Sequence, residues 1–221
     1  KGDWLWTSPN SFVASSNCGL LCSAKIDFID INPRTYNLDV DRLEKKLVKA
    51  KKSKKLPKAV VPVHFAGLPC EMKKIVKLSK KYKFKIIEDA SHALGAKYNS
   101  EDIGNCKYSD IAVFSFHPIK MITTIEGGVA TTNNQKYADQ MSKLRTHGIV
   151  KEKFKMKRKK EGNWYYEQND LGLNYRMNDV QAALGLSQLK KLNKFLKRRR
   201  EIAKLYIKKL KKLPVNFQLE N

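Results

Sequence analysis

The stretch VFSFHPIKMITTIEGG, Val113 to Gly128, decides how this chain is to be read. An apolar run with strand character opens into Ser115, His117 and Lys120, continues through a Thr-Thr pair and closes on Glu-Gly-Gly. Lysine is abundant throughout the chain, so Lys120 stands out only by its position. It lies just past the end of a predicted strand, where open α/β sheets bind their ligands.

Working outward, the same grammar recurs. DWLWT, KIDFIDI, AVVPVHF, FKIIEDA, IAVFSF and GGVATT are short apolar runs rich in Val, Ile and Phe. Helical patterns lie between them, which predicts an α/β fold with a largely parallel sheet whose strands are covered on both faces. DVDRLEKKLVKAKK has Asp39 as its N-cap and Val40, Leu43 and Leu47 on one stripe. CEMKKIVKLSKKY repeats the pattern with Met72, Ile75, Val76 and Leu78, and FVASSNCGLLCSA is a third helix, rich in small residues. The last helix starts near Asn178, with Gln181 three positions on completing a capping box, and continues through Leu210 with a break on the way. Between them, residues 149–176 are polar, aromatic and aperiodic, and read as a long excursion.

Composition narrows the function classes. The formal charge is +24, mostly from lysine in runs such as KKLVKAKKSKK and LKRRREIAKLYIKKLKKL. Such charge attracts polyanions and admits a basic nucleic-acid-binding protein as an alternative. The aromatic and arginine interleaving of dedicated RNA binders is missing, however, and solvated helix faces are the favoured reading. The four cysteines form no Cys-x-x-Cys pair, so reduced thiols are expected and no metal site. No apolar run approaches the ~20 residues of a membrane span. KGDWLWTSPN lacks a cleavable apolar core, so a cytoplasmic setting is expected. A first residue other than Met, and an end just after a helix, make both termini read as cut.

The strand ends carry the chemistry. FKIIEDASHALGA delivers Glu88, Asp89, Ser91 and His92, AVVPVHFAG delivers His64, and IAVFSFHPIK delivers Ser115, His117 and Lys120. A serine hydrolase would need a Gly-x-Ser-x-Gly turn, and a mononucleotide site a phosphate-binding glycine loop; neither motif is present. Pyridoxal phosphate chemistry fits better. It requires a lysine, an anion opposite the pyridine nitrogen, hydroxyls for the phosphate and a flat residue against the ring. Lys120, Asp89, Ser115 and Phe12 supply that set.

The ordered blocks TSPNSFVASSN, VHFAG, EDASHALGA, FSFHPIKMITTIEGG, RTHG and GLNYRMNDVQAALGLSQL resemble the DegT/DnrJ/EryC1/StrS sugar-nucleotide aminotransferases over almost the whole chain. The resemblance implies the large domain of a fold-type I pyridoxal-phosphate-dependent transferase, with residues 1–200 as part of that domain. Residues 201–221 would be a helix leading into a smaller C-terminal domain that is missing, and the family's upstream phosphate-binding segment would precede Lys1. It also implies that Lys120 bonds the cofactor and moves the proton at the substrate carbon, while Asp89 pairs with the ring nitrogen and Phe12 stacks on the ring. His92 would lie beside the phenolic oxygen, Ser115 would bind the phosphate, and Asn174 would reach the cofactor of a neighbouring subunit in a homodimer. Retention of lysine at position 120, where some members carry histidine and dehydrate, favours transamination. SFHPIKMITTIEGG with DASHALGA is most similar to the branch serving pseudaminic acid biosynthesis. That branch aminates C4 of a UDP-linked 4-keto-6-deoxy-N-acetylhexosamine with glutamate as donor; another nucleotide keto-sugar is the alternative substrate. Residues near His64, His117 and the 151–170 excursion would decide between them.

Overall fold

The computed structural model describes residues 1–151, 156, 158, 162 and 164–219. The central sheet comprises β1 (Trp4–Thr7), β2 (Lys25–Phe28), β3 (Pro57–Val61), β4 (Lys85–Asp89), β7 (Ile111–Ser115) and β8 (Gly128–Thr131). Its order is β2-β1-β3-β4-β7-β8. Every neighbouring pair is parallel except β7 with β8, which run antiparallel. All six expected strands are therefore present, in a mostly parallel sheet. Two small ladders accompany it: β5 (Lys97–Tyr98) with β6 (Glu101–Asp102), and β9 (Ile149–Val150) with β10 (Glu167–Gln168). The second closes the base of the 149–176 excursion. Residues 152–155, 157, 159–161 and 163 of that excursion, and 220–221 at the chain end, lie outside the described residues.

The helices are α1 (Ala14–Leu21), α2 (Val40–Lys52), α3 (Met72–Tyr82), α4 (Gln135–Leu144), α5 (Asp179–Leu189) and α6 (Leu192–Leu210). The Asp39 side chain accepts the Arg42 amide and so caps α2. The capping box predicted at the start of α5 is formed by Asn178 and Gln181. The expected interruption falls between α5 and α6, at Lys190 and Lys191. Helix α4, which the sequence reading did not single out, has no fully buried residue among its ten; Tyr137, Ala138, Met141 and Leu144 form a half-buried stripe.

Burial is asymmetric across the sheet. On one face Leu43 and Leu47 of α2 and Met72, Ile75 and Leu78 of α3 pack with Trp6, Val60 and Ile86 into the main core. Lys45, Lys49, Lys51 and Lys52 of α2 lie on its exposed side, as expected of solvated lysines. On the other face α1 packs over β1 and β2, close enough that a Cβ on Gly19 would meet Ile26 and Leu5. Over β7 and β8 that face stays open, and Val113 and Val129 are exposed among the described residues. Coverage of both faces therefore does not hold along the whole sheet. The open part is where the cavity lies.

Candidate active site

The parity of each strand decides which residues meet. Asp89 is in register with Val113 across β4 and β7, and with Val63 through a parallel bridge. Ser115 opposes Gly128 across β7 and β8. Residues in register share a face, so Val63, Asp89, Val113, Ser115 and Gly128 look out on the side away from α2 and α3. They line a cavity of about 660 Å³ at the carboxyl ends of the parallel strands, together with Phe12, His92, His117 and Lys120.

Asp89 is held on both oxygens. Ser15 of α1 donates its hydroxyl to Oδ2 at 2.5 Å, and the Ser91 amide donates to Oδ1 at 3.1 Å. The Ser115 Oγ accepts the His117 amide at 3.3 Å, which leaves the hydroxyl hydrogen to be donated elsewhere. His92 accepts the Ala66 amide on Nδ1 at 3.3 Å. Burial pushes the His92 imidazole below its ordinary pKa, the positive charge of Lys120 adds to this, and Asp89 partly opposes it. Phe12 stands at the rim, 73% exposed.

The segment from Ser115 to Gly128 is stitched from within. The Phe116 amide donates to the Gly127 carbonyl, the Thr124 amide and the Thr123 hydroxyl donate to the Phe116 carbonyl, and the Lys120 amide donates to the His117 carbonyl. The Thr124 hydroxyl donates to the Glu126 carbonyl. The Thr-Thr pair therefore closes the loop that carries Lys120. From outside, Gln181 of α5 donates to the Glu126 carbonyl at 3.0 Å and Arg199 of α6 to the Lys120 carbonyl at 3.0 Å.

A sequence profile of the DegT/DnrJ/EryC1/StrS aminotransferase family matches residues 1–221. The chain belongs to the DegT/DnrJ/EryC1/StrS aminotransferase family. It is 44% identical over 208 residues to the UDP-4-amino-4,6-dideoxy-N-acetyl-beta-L-altrosamine transaminase of Campylobacter jejuni, covering 94% of this chain and 51% of that protein. It is 35% identical to the GDP-perosamine synthase of Caulobacter vibrioides, covering 96% of this chain and 52% of the relative. Among solved structures it resembles Helicobacter pylori PseC, an aminotransferase involved in the biosynthesis of pseudoaminic acid. The TM-score is 0.84 at 35% identity, over 96% of this chain and 52% of that one. The chain thus spans about half the length of these relatives. The α/β architecture and the family assignment expected from the sequence both hold.

Of the residues singled out from the DegT/DnrJ/EryC1/StrS resemblance, Phe12, Asp89, His92, Ser115 and Lys120 line the one cavity. Asn174 stands apart, exposed, bridging Thr146. His64 is the correction: grouped by sequence with the pocket, it is turned to the opposite face. It is fully buried there, with Nε2 2.7 Å from Glu88 Oε2. The parity that aims Val63 at the cavity aims His64 away from it. Sequence reasoning missed Ser15 and Arg199. Ser15 had a faint signal, a small polar residue on a helix of small residues; Arg199 had none among its neighbours KRRR. The four cysteines are free, and no cluster of metal-ligating side chains occurs among the described residues. No helix among them is long and apolar enough to cross a membrane.

Proposed function

We propose that this chain carries most of the cofactor pocket of a pyridoxal-phosphate-dependent sugar-nucleotide aminotransferase. Its substrate is a UDP-linked 4-keto-6-deoxy-N-acetylhexosamine and its amino donor glutamate, in pseudaminic acid-type biosynthesis. The observation that carries this reading is the meeting of Asp89, Ser115, His92 and Lys120 in one cavity. The donor set suits the cofactor: a carboxylate fixed on both oxygens, a hydroxyl with its hydrogen uncommitted, and an amine on a stitched loop. The C. jejuni relative favours the UDP-linked acetamido sugar.

Pyridoxal phosphate supplies an electron sink for negative charge at the carbon bearing the amine. The chain's residues do the rest. Asp89 would hold a proton on the ring nitrogen, and the Ser15 and Ser91 donors keep its carboxylate oriented for that. Ser115 would donate to the phosphate and Phe12 would stack on the ring. His92 would lie beside the phenolic oxygen. Lys120 would hold the cofactor covalently, and its Nζ, once displaced from that bond by the incoming amino group, would take and return the proton at the substrate carbon. Asn174, exposed, would reach toward the cofactor of a second subunit in a homodimer, and the setting would be cytoplasmic. Residues 1–200 belong to the large domain and 201–221 lead toward the smaller one.

The test is spectroscopic. Adding pyridoxal phosphate to the protein is expected to give the absorbance band of lysine-bound cofactor, and Lys120→Ala to abolish it. A wild-type protein without the band, or a band that survives Lys120→Ala, refutes the reading. A second substrate reading, a GDP-linked keto-sugar, is favoured by the similarity to the C. vibrioides GDP-perosamine synthase. Product analysis with UDP- and GDP-linked 4-keto sugars separates the two.

A further inference from the structure

The most deeply buried titratable pair in the described chain has no place in that chemistry. His64 is 0% exposed and Glu88 3%, and they lie behind the sheet, on the face opposite Asp89. The His64 Nδ1 accepts the Cys70 amide at 3.1 Å, so the ring carries its hydrogen on Nε2 and donates it to Glu88 at 2.7 Å. A buried carboxylate and imidazole are costly to desolvate, and here each is hydrogen-bonded.

The geometry it holds is the turn that follows β3. His64 reaches from its start to Cys70 at its far end, while its backbone amide donates to the Asp89 carbonyl. A second buried side chain, Asn37, grips the same turn: its Oδ1 accepts the Phe65 amide and its Nδ2 donates to the Leu68 and Pro69 carbonyls. Clamped at these points, the turn runs through two left-handed residues, Ala66 (φ 53°) and Gly67 (φ 88°). A non-glycine residue there is strained, and such strain persists only where the surroundings enforce it. Both left-handed residues lie against His92. The Ala66 amide donates to His92 Nδ1 at 3.3 Å, and a Cβ on Gly67 would lie 2.9 Å from the His92 carbonyl oxygen.

An imidazole nitrogen that accepts an N–H cannot carry its own hydrogen, so this contact selects the His92 tautomer with hydrogen on Nε2. No protein partner for that Nε2 occurs among the described residues, and His92 lines the cavity. We propose that Glu88, His64 and Asn37 are positioning residues: from behind the sheet they clamp the 64–70 turn so that the Ala66 amide fixes His92 as a hydrogen-bond donor at the cavity wall. The donor's use in amination rests on the function proposed above. The clamp itself does not.

The experiment reads the tautomer directly in protein without cofactor, from two-bond proton–nitrogen NMR correlations of its four histidines. Wild-type His92 is expected to show hydrogen on Nε2 and an acceptor shift on Nδ1. Glu88→Gln keeps an oxygen to accept from His64 and is expected to match wild type. Glu88→Leu removes the acceptor, and the excess of the Nε2–H form is expected to fall roughly tenfold, toward the ratio of a free imidazole. Gly67→Ala pushes the turn off the His92 backbone without touching the buried pair and is expected to do the same; it decides the matter if Glu88→Leu does not fold. Hydrogen on Nδ1 in wild type, a free-imidazole pattern in Glu88→Gln, or an unchanged pattern in either disruptive variant that folds overturns the clamp. A wild-type protein that shows the Nε2–H pattern but gives no band when pyridoxal phosphate is added overturns the aminotransferase reading instead and leaves the clamp standing.

Discussion

Gly128 opposes Ser115 at the seam of β7 and β8, and replacing it by alanine tests whether that seam sets the site. A Cβ at position 128 would lie 2.6 Å from the Phe114 carbonyl oxygen. That is about 0.8 Å inside ordinary contact, and the oxygen belongs to backbone that cannot swing aside. The two strands must part by several tenths of an ångström beside Ser115. Overpacking of this kind costs about 1–3 kcal/mol, and ~2 kcal/mol corresponds to a fall in Tm of roughly 4–8 °C for a chain of this size. Parting the strands also moves Ser115 relative to Lys120. A hydrogen bond to a charged group is worth about 1.5–3 kcal/mol, so weakening the Ser115 contact with the phosphate is expected to lower pyridoxal phosphate affinity roughly tenfold. Gly19→Ala is the control, because its Cβ would also come within 2.6 Å of a neighbour. That neighbour is the Ile26 Cδ1, a side-chain tip able to rotate, and the helix interior gains about 1 kcal/mol from alanine over glycine. Gly19→Ala is therefore expected within ~1 kcal/mol of wild type. Thermal unfolding and cofactor titration followed by absorbance measure both variants. Equal losses of stability in the two, or wild-type cofactor affinity in Gly128→Ala, refute the reasoning.

Because burial and Lys120 hold the His92 pKa below its ordinary 6.5, the unfolded chain binds the extra proton first as pH falls. Stability from this group is complete above 6.5 and lost as pH drops through the window down to the folded value. Denaturant midpoints measured from about pH 7 to about pH 5 are expected to fall less steeply in His92→Gln than in wild type; identical slopes refute the assignment. In the core, Leu43→Ala is expected to cost about 3 kcal/mol, because the side chain is 0% exposed between α2 and the sheet. Leu21→Ala, at 85% exposure, is expected to cost under ~0.5 kcal/mol by the same denaturation assay. Similar losses at the two positions would contradict the burial asymmetry.

Much of the site could be read from the chain because it is built at strand ends. An apolar run announces where a strand stops, and in a parallel sheet every such end reaches the same edge. Asp89, Ser115 and Lys120 are therefore recognisable in the sequence. What escaped were residues whose role depends on a partner far along the chain. Ser15 meets Asp89 from 74 residues away and Arg199 meets Lys120 from 79. The Ala66 amide carries no side-chain signal at all.

Local physics thus determined the strands, the capped helices and the set of chemical groups delivered to the carboxyl edge of the sheet. Hydrophobic periodicity and capping act over a few residues and need no knowledge of the fold. Tertiary structure alone decided which face each group took. Val63 and His64 are neighbours, yet one lines the cavity and the other is sealed behind the sheet with Glu88. The bridge of Val63 to Asp89 sets that parity, and one residue's shift of register would exchange the two roles.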